Sequence, residues 1–174
     1  MIFVLLFAEG VTILRVDNLI SAHVFIGVLL IPFVTVKIVS TTYRFARYYT
    51  GQREYVEKGP PPPVLRVLGP FVTVTTIAVF ATGIAAVLGR GSHGIALAHK
   101  ASFIVWFAAM TLHVLGHALQ TPRLATDDLR PRTRGMAAGA NARTTLLVLT
   151  IAVAVPLAIA ALQWAHHWQR LRGR

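Results

Sequence analysis

The stretch Ile95–Gln120, IALAHKASFIVWFAAMTLHVLGHALQ, decides how the rest of the chain is read. It is one apolar run long enough to cross a bilayer, and it carries three histidines, His99, His113 and His117. Polar and titratable groups are expensive at membrane depth, so each needs a partner or a task. His99 and His113 stand 14 residues apart. On an α-helix that separation is about four turns, with a lag of roughly 40° and a rise of roughly 21 Å. The two imidazoles therefore point to nearly the same side of the helix, one near each end of a span.

Composition supports a membrane setting for this helix. Of 174 residues, 55% are hydrophobic and only 13% are charged; a soluble domain has about 25% charged residues. The mean hydropathy is +0.64. There is no cysteine, which excludes a disulfide framework, a thiolate metal site, an iron–sulfur cluster and covalent haem attachment through CxxCH. The formal net charge is +11. In a membrane protein such an excess marks cytoplasmic loops rather than nucleic-acid binding. Met1-Ile-Phe-Val lacks a basic leader, so no cleavable signal is expected.

Outward from the histidine helix, the sequence predicts an all-α integral membrane fold. It is a single transmembrane helical bundle of four to five spans, at about 1–14, 18–42, 65–88, 95–119 and 144–164. The first is short for a span, which needs about 20 residues, and Glu9-Gly10 interrupts it. It reads either as a short or tilted span or as the tail of a helix that starts upstream. The second carries His23 near its start and Lys37 near its end, and Pro32 should bend it. Tyr43-Arg44-Phe45-Ala46-Arg47-Tyr48-Tyr49 follows as an interfacial aromatic and cationic collar. A polar loop and the stiff spacer Gly59-Pro60-Pro61-Pro62-Pro63 lead to the third span, whose Val, Thr, Ala and Gly suit close packing.

Loop charge sets the orientation. Loop 43–66 has five basic residues, Arg44, Arg47, Arg53, Lys58 and Arg66; loop 120–143 has five more, Arg123, Arg130, Arg132, Arg134 and Arg143. The turn 89–94 has one, Arg90. The positive-inside rule places both long loops in the cytoplasm of a bacterial cytoplasmic membrane, against the three arginines Arg170, Arg172 and Arg174 of the tail.

The second and fourth spans then enter the membrane from the same side, with His23 and His99 each about five residues in. Two neutral imidazoles facing one another at equal depth across a bundle are the axial ligands of a b-type haem. The plainer reading is two unrelated histidines bonded to backbone or water. The same 14-residue step from His23 lands on Lys37, level with His113. Lysine is a poor iron ligand unless deprotonated. Lys37 reads as snorkelling to the interface, or as pairing with a haem propionate or an anionic headgroup. His117 lies one turn beyond His113, and a pair at i, i+4 chelates a metal ion; both cannot be trans ligands of one porphyrin, and no HExxH is present. Either one contributes to an inner haem, or the two serve a quinone or a polar network. Lys100 and Arg90 suit propionates or interfacial snorkelling. Glu9 suits proton exchange near a quinone, or a partner such as Arg15 or a hydroxyl. His166 and His167 are alternative outer ligands, and His93 reads as an exposed turn residue.

This placement of histidines resembles the membrane-embedded four-helix b-type cytochromes, among them the cytochrome subunits of bacterial hydrogenases and formate dehydrogenases, over roughly residues 18–165. In that family one helix carries two histidines about 14 apart, as His99 and His113 do here. A histidine on another helix completes the outer haem, and His23 matches it; no histidine here matches the second ligand of the inner haem. GVTIL, AHVFIG, YRFARYYTG and HVLGH also resemble uncharacterised actinobacterial membrane proteins related to this group. The resemblance implies haem b, once or twice, and one-electron transfer, often to or from quinones, as a subunit working with a partner dehydrogenase, reductase or redox protein. Two rival readings stay open. One is a haem-free transporter or metal-handling protein built on His113, His117 and Glu9; the other is a structural membrane subunit.

Overall fold

The computed structural model describes residues 2–57, 63–88, 93–118 and 140–172. Among these residues every regular element is a helix: α1 (Ile2–Ile13), α2 (Val16–Tyr49), α3 (Arg53–Val56), α4 (Pro63–Leu88), α5 (His93–Ala118) and α6 (Ala140–Arg172). Four of them, α2, α4, α5 and α6, are long and apolar enough to cross a membrane. The chain is an all-α integral membrane bundle. The fifth apolar helix, α1, has 12 residues, about 18 Å at 1.5 Å per residue.

The bundle is assembled from two antiparallel pairs. In the first, α4 lies along α5. Three contacts mark its register from one end to the other: Thr82 against His99 and Ser102, Thr76 against Trp106, and Leu65 against Gly116. At the last of these a Cβ on residue 116 would sit 2.8 Å from Leu65 Cδ2, so the glycine sets how closely the helices approach. In the second pair, α6 lies along α2. Ala154, Ala158, Ala161 and Ala165 recur every three or four residues, and none is more than 6% exposed. Val24 of α2 packs on Ala161 and Ala165 together with Ile20, Val28 and Val87 of α4. Small side chains let two backbones come close where no water-driven force pushes them together.

Membrane helices must satisfy their polar groups internally. The threonines do so by bonding back one turn: Thr75 and Thr76 to Phe71 and Val72 carbonyls, Thr82 to Ala78, and Thr150 to Leu146. Val67, Val74, Ile77, Ile104, Leu112, Val148 and Ile159 remain exposed on the outside of the bundle, where lipid covers them.

Two features of α2 were not expected from the sequence, a break at Leu19 and a longer C-terminal reach. The helix passes through Pro32 with helical backbone angles, and its departure from helical geometry lies at Leu19 (φ −113°, ψ 20°). It also continues through the aromatic–basic collar to Tyr49 rather than stopping near Thr42. Side chains one turn apart hold that extension: Arg47 Nε donates to Tyr43 Oη at 2.9 Å, and the Phe45 and Tyr49 rings lie 4.6 Å apart. Gly51 at φ 77° ends it. Its N–H bonds Tyr48 and the next, of Gln52, bonds Arg47, which closes off the last carbonyls in a Schellman arrangement.

Candidate functional site

Between the two helix pairs, α2 and α5 hold apart. Among the described residues no α-carbon of α2 comes within 8 Å of one of α5. Two side chains nonetheless reach across: the His23 and His99 ring centres are 6.3 Å apart, with planes inclined by 65°. The structure thus brings together the two histidines that loop charge had set at equal depth.

Each ring is held from behind, through Nδ1. His23 Nδ1 lies 3.0 Å from Glu9 Oε1 and 3.0 Å from Thr12 Oγ1, both on α1. A carboxylate only accepts, and the Thr12 hydroxyl donates to the Glu9 carbonyl at 2.6 Å. His23 Nδ1 therefore carries the proton. His99 Nδ1 lies 3.1 Å from Thr82 Oγ1. The Thr82 proton goes to the Ala78 carbonyl at 2.7 Å, with Val79 at 3.0 Å, so Thr82 accepts from His99. Ser102 Oγ lies 2.9 Å from both Thr82 Oγ1 and the His99 carbonyl, beside the ring. For neutral rings this pattern assigns each imidazole's proton to Nδ1 and its lone pair to Nε2. This is how a metal-binding histidine is oriented, its other nitrogen donating to a carboxylate or other fixed acceptor.

Two glycines make room for this arrangement. A Cβ at residue 83 would meet His99 Cε1 at 3.0 Å, and one at residue 27 would meet Glu9 Oε1 at 3.2 Å. His23 and Glu9 are well shielded, with side chains 19% and 16% exposed.

These residues fit a haem iron. With metal–imidazole bonds of about 2 Å and about 1 Å from nitrogen to ring centre, two trans imidazoles have centres about 6 Å apart. The His23–His99 separation matches, and the tautomers leave the correct nitrogens free. By contrast, no three His, Asp or Glu side chains among the described residues group as a protein-only metal site requires.

The other end of α5 is built differently. The His113 and His117 rings are 4.7 Å apart, but no histidine faces them from another described helix. His113 Nδ1 is buried and has no hydrogen-bond partner. Lys37 lies close enough for its charge to act on His113, in keeping with the 14-residue step, yet its side chain is exposed. His117 and Lys100 are exposed as well. Arg90, residues 119–139 and the side chains of His166 and His167 lie outside the described residues.

Glu9, Thr12, Gly27, Thr82, Gly83 and Ser102 join the site without having been singled out as its supports. Only Glu9 drew attention in the sequence, and its partner is His23 rather than Arg15. The signal for the rest is hairpin register, since residues equidistant from a tight turn between antiparallel helices meet. No family model matches the chain, and neither does any curated protein or solved structure.

Proposed function

We propose that this protein is an integral-membrane b-type cytochrome of the bacterial cytoplasmic membrane, with His23 and His99 as the axial ligands of one haem b. The observation that carries the reading is the facing pair itself. Two Nδ1-anchored imidazoles lie 6.3 Å apart between helices whose α-carbons nowhere come within 8 Å of each other. One iron would take the Nε2 lone pair of each ring.

A bound haem supplies reversible one-electron chemistry; the chain supplies the setting. His23 and His99 would hold the group from opposite sides. Glu9, Thr12 and Thr82 keep the ring tautomers fixed through both oxidation states. The apolar helix walls exclude water and lower the local dielectric, which adjusts the potential. Lys100, exposed one residue beyond His99, is placed to meet a propionate at the interface. On this reading the His23–His99 end faces outward, and the Lys37–His113 end lies toward the cytoplasmic loops. Electrons pass to or from a partner dehydrogenase, reductase or redox protein, with a quinone as the membrane-soluble carrier. No histidine opposes His113 among the described residues, so the chain would hold one group rather than two.

The test is a reduced-minus-oxidised visible spectrum with a pyridine haemochrome assay on protein purified from haem-competent cells. The reading predicts b-type bands at about one haem per chain. Absence of those bands sinks it. A metal-dependent, haem-free protein would support the transporter reading instead.

A further inference from the structure

The two rings at the His23–His99 pair are alike in tautomer but not in what anchors them. Behind His99 stand only neutral groups, the Thr82 hydroxyl, whose own proton is committed to its helix, and the Val79 backbone carbonyl. Behind His23 stands a carboxylate, Glu9, 3.0 Å away. We infer that Glu9 is a positioning residue that sets the potential of this site, making His23 the more strongly donating ligand and α1 part of the cofactor cradle. The inference rests on the haem reading above.

Three observations show that the carboxylate is built in. Glu9 sits in an apolar helix, where an acidic side chain is costly, so its presence calls for a partner. The partner is reached twice: Oε1 faces His23 Nδ1, and Oε2 lies 3.4 Å from the buried Thr12 hydroxyl that also touches that nitrogen. Room for the carboxylate is left on the facing helix by Gly27, where a Cβ would stand 3.2 Å from Oε1. The pairs Glu9–Gly27 and Thr12–His23 also fix α1 antiparallel to α2, which places Glu9 and Thr12 where they reach the ring.

The chemical consequence has a definite sign. An N–H that donates to a carboxylate leaves its ring richer in electron density than one that donates to a hydroxyl, because the proton is partly drawn away. Two neutral imidazoles, a porphyrin dianion and ferric iron leave one positive charge at the core; adding one electron removes it, with no bond made or broken. A nearby negative charge and a stronger donor both favour the ferric form. The carboxylate therefore holds the potential down.

The experiment is an equilibrium redox titration of the full-length protein in detergent or nanodiscs, with mediators, on wild type, Glu9→Gln and Glu9→Asp. Gln keeps an acceptor of the same length and removes the charge; Asp keeps the charge. The expected result is haem retained in Glu9→Gln with its midpoint potential shifted upward, and Glu9→Asp close to wild type. An unchanged or lowered potential in Glu9→Gln overturns the inference. So does a Glu9→Asp potential shifted upward as far as that of Glu9→Gln, since the charge would then not be what sets it. Wild-type protein without haem fails the cytochrome reading itself, and the two failures are told apart by that first spectrum.

Discussion

The two ends of α5 carry the same sequence signal and different structures. At one end His99 has a histidine opposite, a hydroxyl behind Nδ1 and a glycine beneath the ring. At the other, His113 has a histidine only on its own helix, a buried Nδ1 with nothing to bond, and an exposed lysine nearby. The contrast teaches that spacing on one helix brings a histidine to the right face, while neighbouring helices decide whether it becomes a ligand. Orientation, tautomer and a partner across the gap come from α1, α2 and α4, not from α5.

The comparison can be broken most sharply by removing one ring. His23→Ala or His99→Ala should abolish haem binding, because one imidazole alone is left to a site built for two; pyridine haemochrome on each variant measures it. Retention of full haem in either would place the cofactor elsewhere. Next in size is Gly83→Val. Its Cβ would press on His99 Cε1 at 3.0 Å, with further methyl groups behind it. Displacing a ring held within a few tenths of an ångström should lower haem content by about tenfold or more.

Thr82→Val separates orientation from space. The variant is close in shape and removes only the acceptor for His99 Nδ1. Loss of such an outer partner typically costs about tenfold or more in affinity, read as haem lost on titration with an apo-haem acceptor. The smallest effect belongs to the other end. His113→Ala should leave haem stoichiometry and the visible spectrum unchanged, and because its Nδ1 has no partner, thermal stability should change little. A fall from two haems to one in that variant would show that the ends are equivalent after all.

Much of the fold was legible in the sequence. The apolar runs mark four of the helices, since length and hydropathy are what a bilayer demands. The His23–His99 pairing follows from loop charge, which makes two separate helices enter from one side. The reach of α2 to Tyr49 was not legible as a helix. Hydropathy falls at Tyr43, but helical hydrogen bonding continues for as long as Tyr and Arg can lie along the interface. Nor were the supports of the site. Thr12 and Thr82 look like any membrane threonine bonded to its own helix, and only the register of the α1–α2 and α4–α5 hairpins sets them against a ring. The alanine face of α6 lay in plain view at residues 154, 158, 161 and 165, yet its meaning depends on α2 running along it.

The most direct test of the central claim is the low-temperature electron paramagnetic resonance spectrum of the oxidised, purified protein. If His23 and His99 hold the proposed haem, their ring planes, inclined by 65°, predict a single low-spin bis-imidazole ferric signal with the strong anisotropy of non-parallel rings. A high-spin signal, a low-spin signal typical of parallel planes or of amine ligation, or no haem signal at all would contradict it.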